Sequence, residues 1–294
     1  MPSPVSIIMI AIAGICLYIG LSYLLTVRSV RLHRQPLLFS LLCMIAGVYF
    51  ILTLYGYKSV VIETLVLATR WEESLSLVMS LIILWFLADY SNYKPGKFLV
   101  GLTVFTGGLA VISVFLPFSV TWQRIDAVVT QKTPWNETIN VLTGTVSPWG
   151  YASFAAYAAI IGFGVAAFHQ LYMVKNRKNA NYLLVPLTFA IFSFFNDILL
   201  SKGLTNSFYL MPYVYGVIIL FIGNNLETSR LRAMANYHTL FDAVNDVVTV
   251  HDSFSGRLLD ANRAAMRIKN RARDRKSTRL NSSHAELSRM PSSA

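Results

Sequence analysis

The stretch YLLVPLTFAIFSFFNDILLS (182–201) is twenty residues long and carries a single charged side chain, Asp197. About twenty mostly apolar residues are what an α-helix needs to cross a hydrocarbon layer of about 30 Å. In lipid a lone segment satisfies its backbone only by closing its own hydrogen bonds, so the stretch reads as a membrane span. Six further runs of this kind lie around it, at 5–26, 36–55, 74–93, 98–117, 150–174 and 208–226. The fold class that follows is all-α membrane, a seven-transmembrane helix bundle over residues 1–226. Composition agrees: 55% of residues are hydrophobic, 13% are charged, and the mean hydropathy is +0.53. Soluble chains carry charge on about a quarter of their residues.

Charge in the connections sets the direction. Arg28, Arg31 and Arg34 follow the first run, Lys94 and Lys97 the third, Lys175, Arg177 and Lys178 the fifth, and Arg230 and Arg232 the seventh. The even connections are poorer, with Lys58 and Arg70, then Arg124 and Lys132, then Lys202 alone. Basic residues collect on the cytoplasmic side of short loops, so the N-terminus is expected outside and the C-terminus in the cytoplasm. Clusters placed this way also account for the formal charge of +11 without a nucleic-acid partner. The first run is too long for the core of a signal peptide and has no basic segment before it, so it reads as a retained helix. The two long outer connections, 56–73 and 118–149, are where a soluble ligand from outside would arrive. Neither reads as a separate folded domain. Asn136 to Thr138 fits the short glycosylation pattern, which is common by chance.

Ionisable groups inside a span are functional candidates, because an unpaired charge there costs a few kcal/mol or more. Asp197, preceded by Asn196, is one. The structural alternative is an interhelical hydrogen bond, or a pair with Lys202 or Arg70. Arg70, Trp71, Glu72 and Glu73 form a charged and aromatic group at the opening of the third span, suited to a ligand head group or simply to an interfacial helix start. These six residues are the ligand or signal-sensing candidates. Asp89 reads as a helix terminus near Lys94. No histidines have metal-ligand spacing, and Cys16 and Cys43 sit inside apolar runs, so no metal site is expected. The last span holds no lysine, which removes a retinal Schiff base. Gly107, Gly108, Gly162 and Gly164 mark faces for close helix packing.

After residue 226 the composition turns polar. A short linker helix is expected over 227–236, then YHTLFDAVNDVVTVHDSFSGRLLDANRAA (237–265) reads as a helix ending near Asn245 and Asp246. A strand over 247–250, a turn through Ser253, Ser255 and Gly256, and a second strand over 257–260 follow. With His251 and Asp252 closing the first strand and Asn262, Ala264 and Ala265 opening the next helix, the segment resembles the start of a PAS domain, truncated, over 237–273. The segment 194–221 (FFNDILLSKGLTNSFYLMPYVYGVIILF) adds a second resemblance. Through Asn196, Asp197, Gly203, Leu210, Pro212 and Tyr213 it resembles the last two helices of the bacterial seven-helix receptors with diverse intracellular signalling modules. The large extracellular domain often found in that family is absent, so sugar recognition does not carry over.

From Asp274 the chain reads DRKSTRLNSSH and then, three residues on, SRMPSSA. This resembles a translated sequencing-library adapter, so 274–294 is expected to be an artefact and disordered. Without it the net charge is about +9 by removal of four basic and two acidic residues. The resemblances together imply the input module of a receptor in the bacterial inner membrane. It would relay an extracytoplasmic or membrane signal, such as a small-molecule ligand, to a PAS domain and an output domain. That output is a histidine kinase first and a diguanylate cyclase second, in a homodimer. No catalytic motif and no cofactor site is evident in the residues present. The reading from another class is a small-molecule transporter, against which stand the scarcity of ionisable groups in the spans and the absence of an internal repeat.

Overall fold

The computed structural model describes residues 4–29, 34–132, 138–202, 204, 209–251 and 255–268. Arg31, Asn136, Gly203, Asp252, Ser253 and the tail 274–294, all used above, lie outside the described residues. The chain divides into two compact units, Met1–Asn224 and Asn225–Ala294.

In the first unit α1 (Pro4–Ser29), α2 (Arg34–Lys58), α3 (Ile62–Ser91) and α4 (Gly96–Phe115) follow one another. A hairpin of β1 (Trp122–Lys132) and β2 (Thr138–Val146) then precedes α5 (Pro148–Met173), α6 (Arg177–Ser201) and the opening of α7 (Met211–Ala243), whose residues after Asn224 belong to the second unit. Six helices, Ser6–Leu25 within α1 and the whole of α2 to α6, are long and apolar enough to cross a membrane. Their outward faces are apolar as well: Val104 is 71% exposed and Phe192 63%. Large side chains left open in this way call for lipid, not water, as the surrounding medium. The chain is thus a multi-pass membrane protein. α7 is not among the six, because its apolar part gives way to Asn224 and Asn225 about twelve residues after it starts, roughly 18 Å of helix.

α3 is the most buried of the six and packs against α2, α4 and α5. It begins at Ile62, some three turns before the expected start at Ser74, because the apolar residues Leu65, Val66, Leu67 and Ala68 carry the helix back through Arg70–Glu73. Serines give it polar anchors in an apolar setting. Ser74 Oγ donates to the Ala110 carbonyl of α4 at 2.9 Å. The Ser76 hydroxyl meets Tyr157 of α5 at 2.8 Å and Tyr215 of α7 at 2.5 Å, and Ser80 is 3.2 Å from the same Tyr215 hydroxyl. The Tyr215 ring stands edge-on to Tyr49 of α2, with centroids 5.5 Å apart. At the other end of α3, Asp89 is bound by Lys94 at 2.8 Å and approached by Arg34 at 3.9 Å, so it is ion-paired as well as terminal.

The closest helix contact involves glycines other than the expected ones. A Cβ on Gly47 would lie 2.5 Å from Leu17, and one on Gly20 would lie 2.8 Å from Met44, so α1 and α2 touch through these two positions. Of the four expected packing glycines, Gly164 faces Leu187 at 3.0 Å, whereas Gly108 and Gly162 have open space beside them. Composition along a run does not say which side of a helix meets a neighbour.

In the second unit β3 (Thr249–His251) pairs antiparallel with β4 (Leu258–Ala261), and Gly256 takes φ +64° in the turn between them. Asn262, fully buried, organises the hairpin base. Its Nδ2 donates to the carbonyls of Val244 (3.1 Å) and Asp246 (2.8 Å), and its Oδ1 accepts from the amides of Val248 (3.1 Å) and Ala265 (3.0 Å).

Two outcomes follow. Tyr215→Phe should lower stability by about 0.6–1.7 kcal/mol, the range for interhelical hydrogen bonds in membranes, read by unfolding of the protein in lipid nanodiscs. Asn262→Ala should strip four backbone groups of partners, cost about 1–3 kcal/mol locally, and speed amide exchange at Val248. Unchanged exchange there would mean that the hairpin base is held by something else.

Candidate functional site

The charged group at 70–73 sits within α3, and helical geometry divides it. Residues three, four and seven positions apart share a face, so Thr69, Glu72, Glu73 and Ser76 look the same way. All four line one cavity of about 160 Å³. Arg70 and Trp71 do not line it. The Arg70 guanidinium donates instead to the Val114 carbonyl of α4, Ser113 Oγ donates back to the Arg70 carbonyl at 3.3 Å, and Trp71 is exposed.

Asp197 of α6 lines the same cavity. Its two carboxylate oxygens accept the backbone amides of Leu210 at 2.9 Å and Met211 at 3.1 Å. Asn196 Nδ2 donates to it at 2.9 Å, but Asn196 itself is not part of the cavity wall. Among the described residues no ion pair joins Asp197 to Lys202 or Arg70. The reason is positional: the amides at the start of α7 have no partner within their own helix, and a carboxylate there is favoured by both hydrogen bonding and the helix dipole. Asp197 thus caps α7 from a different helix.

α2 contributes Tyr49, Thr53, Gly56 and Tyr57 to the wall, α5 contributes Tyr157, and Tyr209 closes the side next to α7. The β1–β2 hairpin covers the remaining side with Trp122, Asn140, Val141 and Leu142. Trp122 and Leu142 pack on Leu65 of α3, and Asn140 Nδ2 donates to the Ser59 carbonyl at 2.9 Å in the connection between α2 and α3. Just before the hairpin, Thr121 Oγ1 donates to Glu73 at 2.8 Å. The far end of the hairpin is tied to α5: the Ser147 amide donates to the Thr121 carbonyl at 2.9 Å, and Ser147 Oγ caps Gly150 at 3.0 Å.

The long connection 118–149, expected to carry no separate folded domain, holds the β1–β2 hairpin packed on the bundle. A signal for it was present in the sequence, since β2 reads TINVLTGTV with Ile139, Val141 and Leu142 buried against the bundle. A hairpin of this kind is marginal alone and gains its stability from packing on helices, which local sequence does not report.

The cavity thus holds three carboxylates, those of Glu72, Glu73 and Asp197, and no lysine, arginine or histidine. Glu73 is bound by Thr121 and Asp197 by α7. Glu72 has no hydrogen-bond or ion-pair partner among the described residues. No group of three metal-ligating side chains suited to a metal ion occurs among the described residues. Hydroxyl groups of Thr53, Thr69, Ser76 and Thr121 line the cavity beside the three acids. Thr121→Val, nearly the same shape without the hydroxyl, should destabilise the protein by about 1.5–3 kcal/mol through loss of a charge-assisted bond, measurable as a lowered unfolding midpoint in nanodiscs.

No protein-family model matches the chain, and neither a curated protein nor a solved structure is detectably similar to it.

Proposed function

We propose that the chain is the sensory input module of a bacterial inner-membrane signalling receptor. In this reading α7 completes a seven-helix bundle with the N-terminus outside, the hairpin-covered cavity opens toward the extracytoplasmic side, and α7 carries the signal to a cytoplasmic PAS domain. The output beyond it is a histidine kinase working as a homodimer, with a diguanylate cyclase second.

The observation that carries the reading is the double role of Asp197. One carboxylate both lines the cavity and holds the first amides of α7, and α7 runs from Met211 to Ala243. A change of charge or occupancy beside Asp197 alters the cap, and a changed cap shifts or rotates the helix that leads out of the bundle. Such helix shifts are an ordinary way of converting a local event into a distant one. The short apolar part of α7 fits this role. Val214, Tyr215, Ile219 and Ile222 are buried within the protein, so neighbouring helices supply much of the cover that a solitary span would need from its own side chains.

Amide hydrogen exchange of the whole chain in nanodiscs tests the relay. Asp197→Asn should speed exchange at Leu210 and Met211 by roughly tenfold or more, consistent with loss of a charged acceptor worth about 1.5–3 kcal/mol, and should also change exchange beyond Asn224. A change confined to the first turn of α7 would sink the relay. Solute uptake by proteoliposomes carrying the chain would favour a transporter instead.

A further inference from the structure

Of the three carboxylates in the cavity, two are already engaged. Glu73 accepts from Thr121 at 2.8 Å, and Asp197 accepts from two amides of the α7 start. Glu72 is half-buried, lines the cavity, and makes no hydrogen bond or ion pair among the described residues. A carboxylate partly withdrawn from water and without a partner carries a desolvation cost, which a bound cation offsets. Space at this group is kept open by Gly56 of α2, where even a Cβ would come within 3.2 Å of Glu72 Oε1.

The rest of the wall suits a cation with an organic body. Tyr49, Tyr57 and Tyr209 border the cavity, and aromatic faces attract ammonium groups once both are out of water. Phe154, Phe194 and Leu142 give the apolar remainder. The volume, about 160 Å³, is close to that of an apolar cavity of about 150 Å³ known to accept benzene, so a ligand of about six heavy atoms fits. A metal ion is a poor match, because no set of three metal-ligating side chains is placed for one among the described residues. An anion would meet three carboxylates and no positive charge.

We infer that the cavity is a binding site for a small organic ammonium ion, with Glu72 as its counter-ion and the surrounding tyrosines as its aromatic wall. The inference rests on the sensor reading for its biological meaning, but not for its physical test. Bound next to Glu72, the ammonium also lies in the cavity that Asp197 shares, which makes occupancy visible to the α7 cap.

The test uses three probes of nearly one shape, n-butylammonium, butan-1-ol and butyrate, titrated into the whole chain in nanodiscs by calorimetry with empty nanodiscs subtracted. Butylammonium should bind at about millimolar Kd, a reasonable strength for five heavy atoms, and about tenfold or more tighter than either probe. Glu72→Gln should abolish that preference, whereas Trp71→Phe, on the exposed side of the same turn, should keep it. Equal binding of the alcohol and the ammonium, stronger binding of butyrate, or no ammonium binding at about 10 mM would overturn the inference. So would an unchanged preference in Glu72→Gln; if that variant fails to fold, the probe series on the unaltered chain still decides. Butylammonium binding without any change in α7 exchange supports the amine site and retires the sensor reading. Loss of the amine site leaves the Asp197 relay to stand or fall on its own exchange measurement.

Discussion

The structure depends on what an apolar surrounding denies to a polar side chain. Water is scarce there, so a hydroxyl or carboxylate is stabilised chiefly by a partner inside the protein. α3 shows the consequence most fully. Ser74, Ser76 and Ser80 bind in turn to α4, α5 and α7, and the Tyr215 hydroxyl is shared between two of them. The helix that offers these serine bonds is also the most enclosed of the six candidate spans.

The same constraint shapes the cavity one turn further along. Glu73 is bound by the residue just before the hairpin, and Asp197 is bound by the head of α7, so each acid ties one further element to the bundle. The hairpin is held in addition by Trp122 and Leu142 against Leu65 and by Asn140 against the α2–α3 connection. The hairpin and the start of α7 are thus each tied to the acids of one cavity. Glu72, which lines the same cavity, has no such bond among the described residues.

The second unit follows the same logic at smaller scale. Two short strands do not hold together in water by pairing alone. Here one buried asparagine, Asn262, serves four backbone groups and ties the strand ends to the chain on both sides.

By itself the sequence determined the membrane class, the positions of six helices that can span a bilayer, and the short hairpin around Gly256. Each of these is a local property: a run of apolar residues, or a turn that tolerates positive φ. It also singled out Asp197, Glu72 and Glu73, because charge inside an apolar run stands out in one dimension. Helical periodicity divides Glu72 and Glu73 from Arg70 and Trp71 once α3 runs through them, and only the tertiary structure showed which of the two faces meets the cavity. It alone gave Asp197 its partners thirteen and fourteen residues away, and it alone laid the hairpin over the cavity, because both depend on surfaces supplied by other helices. Six helices have the length and composition of spans by themselves, whereas the burial of Val214, Tyr215, Ile219 and Ile222 on α7 is a property of the packed protein.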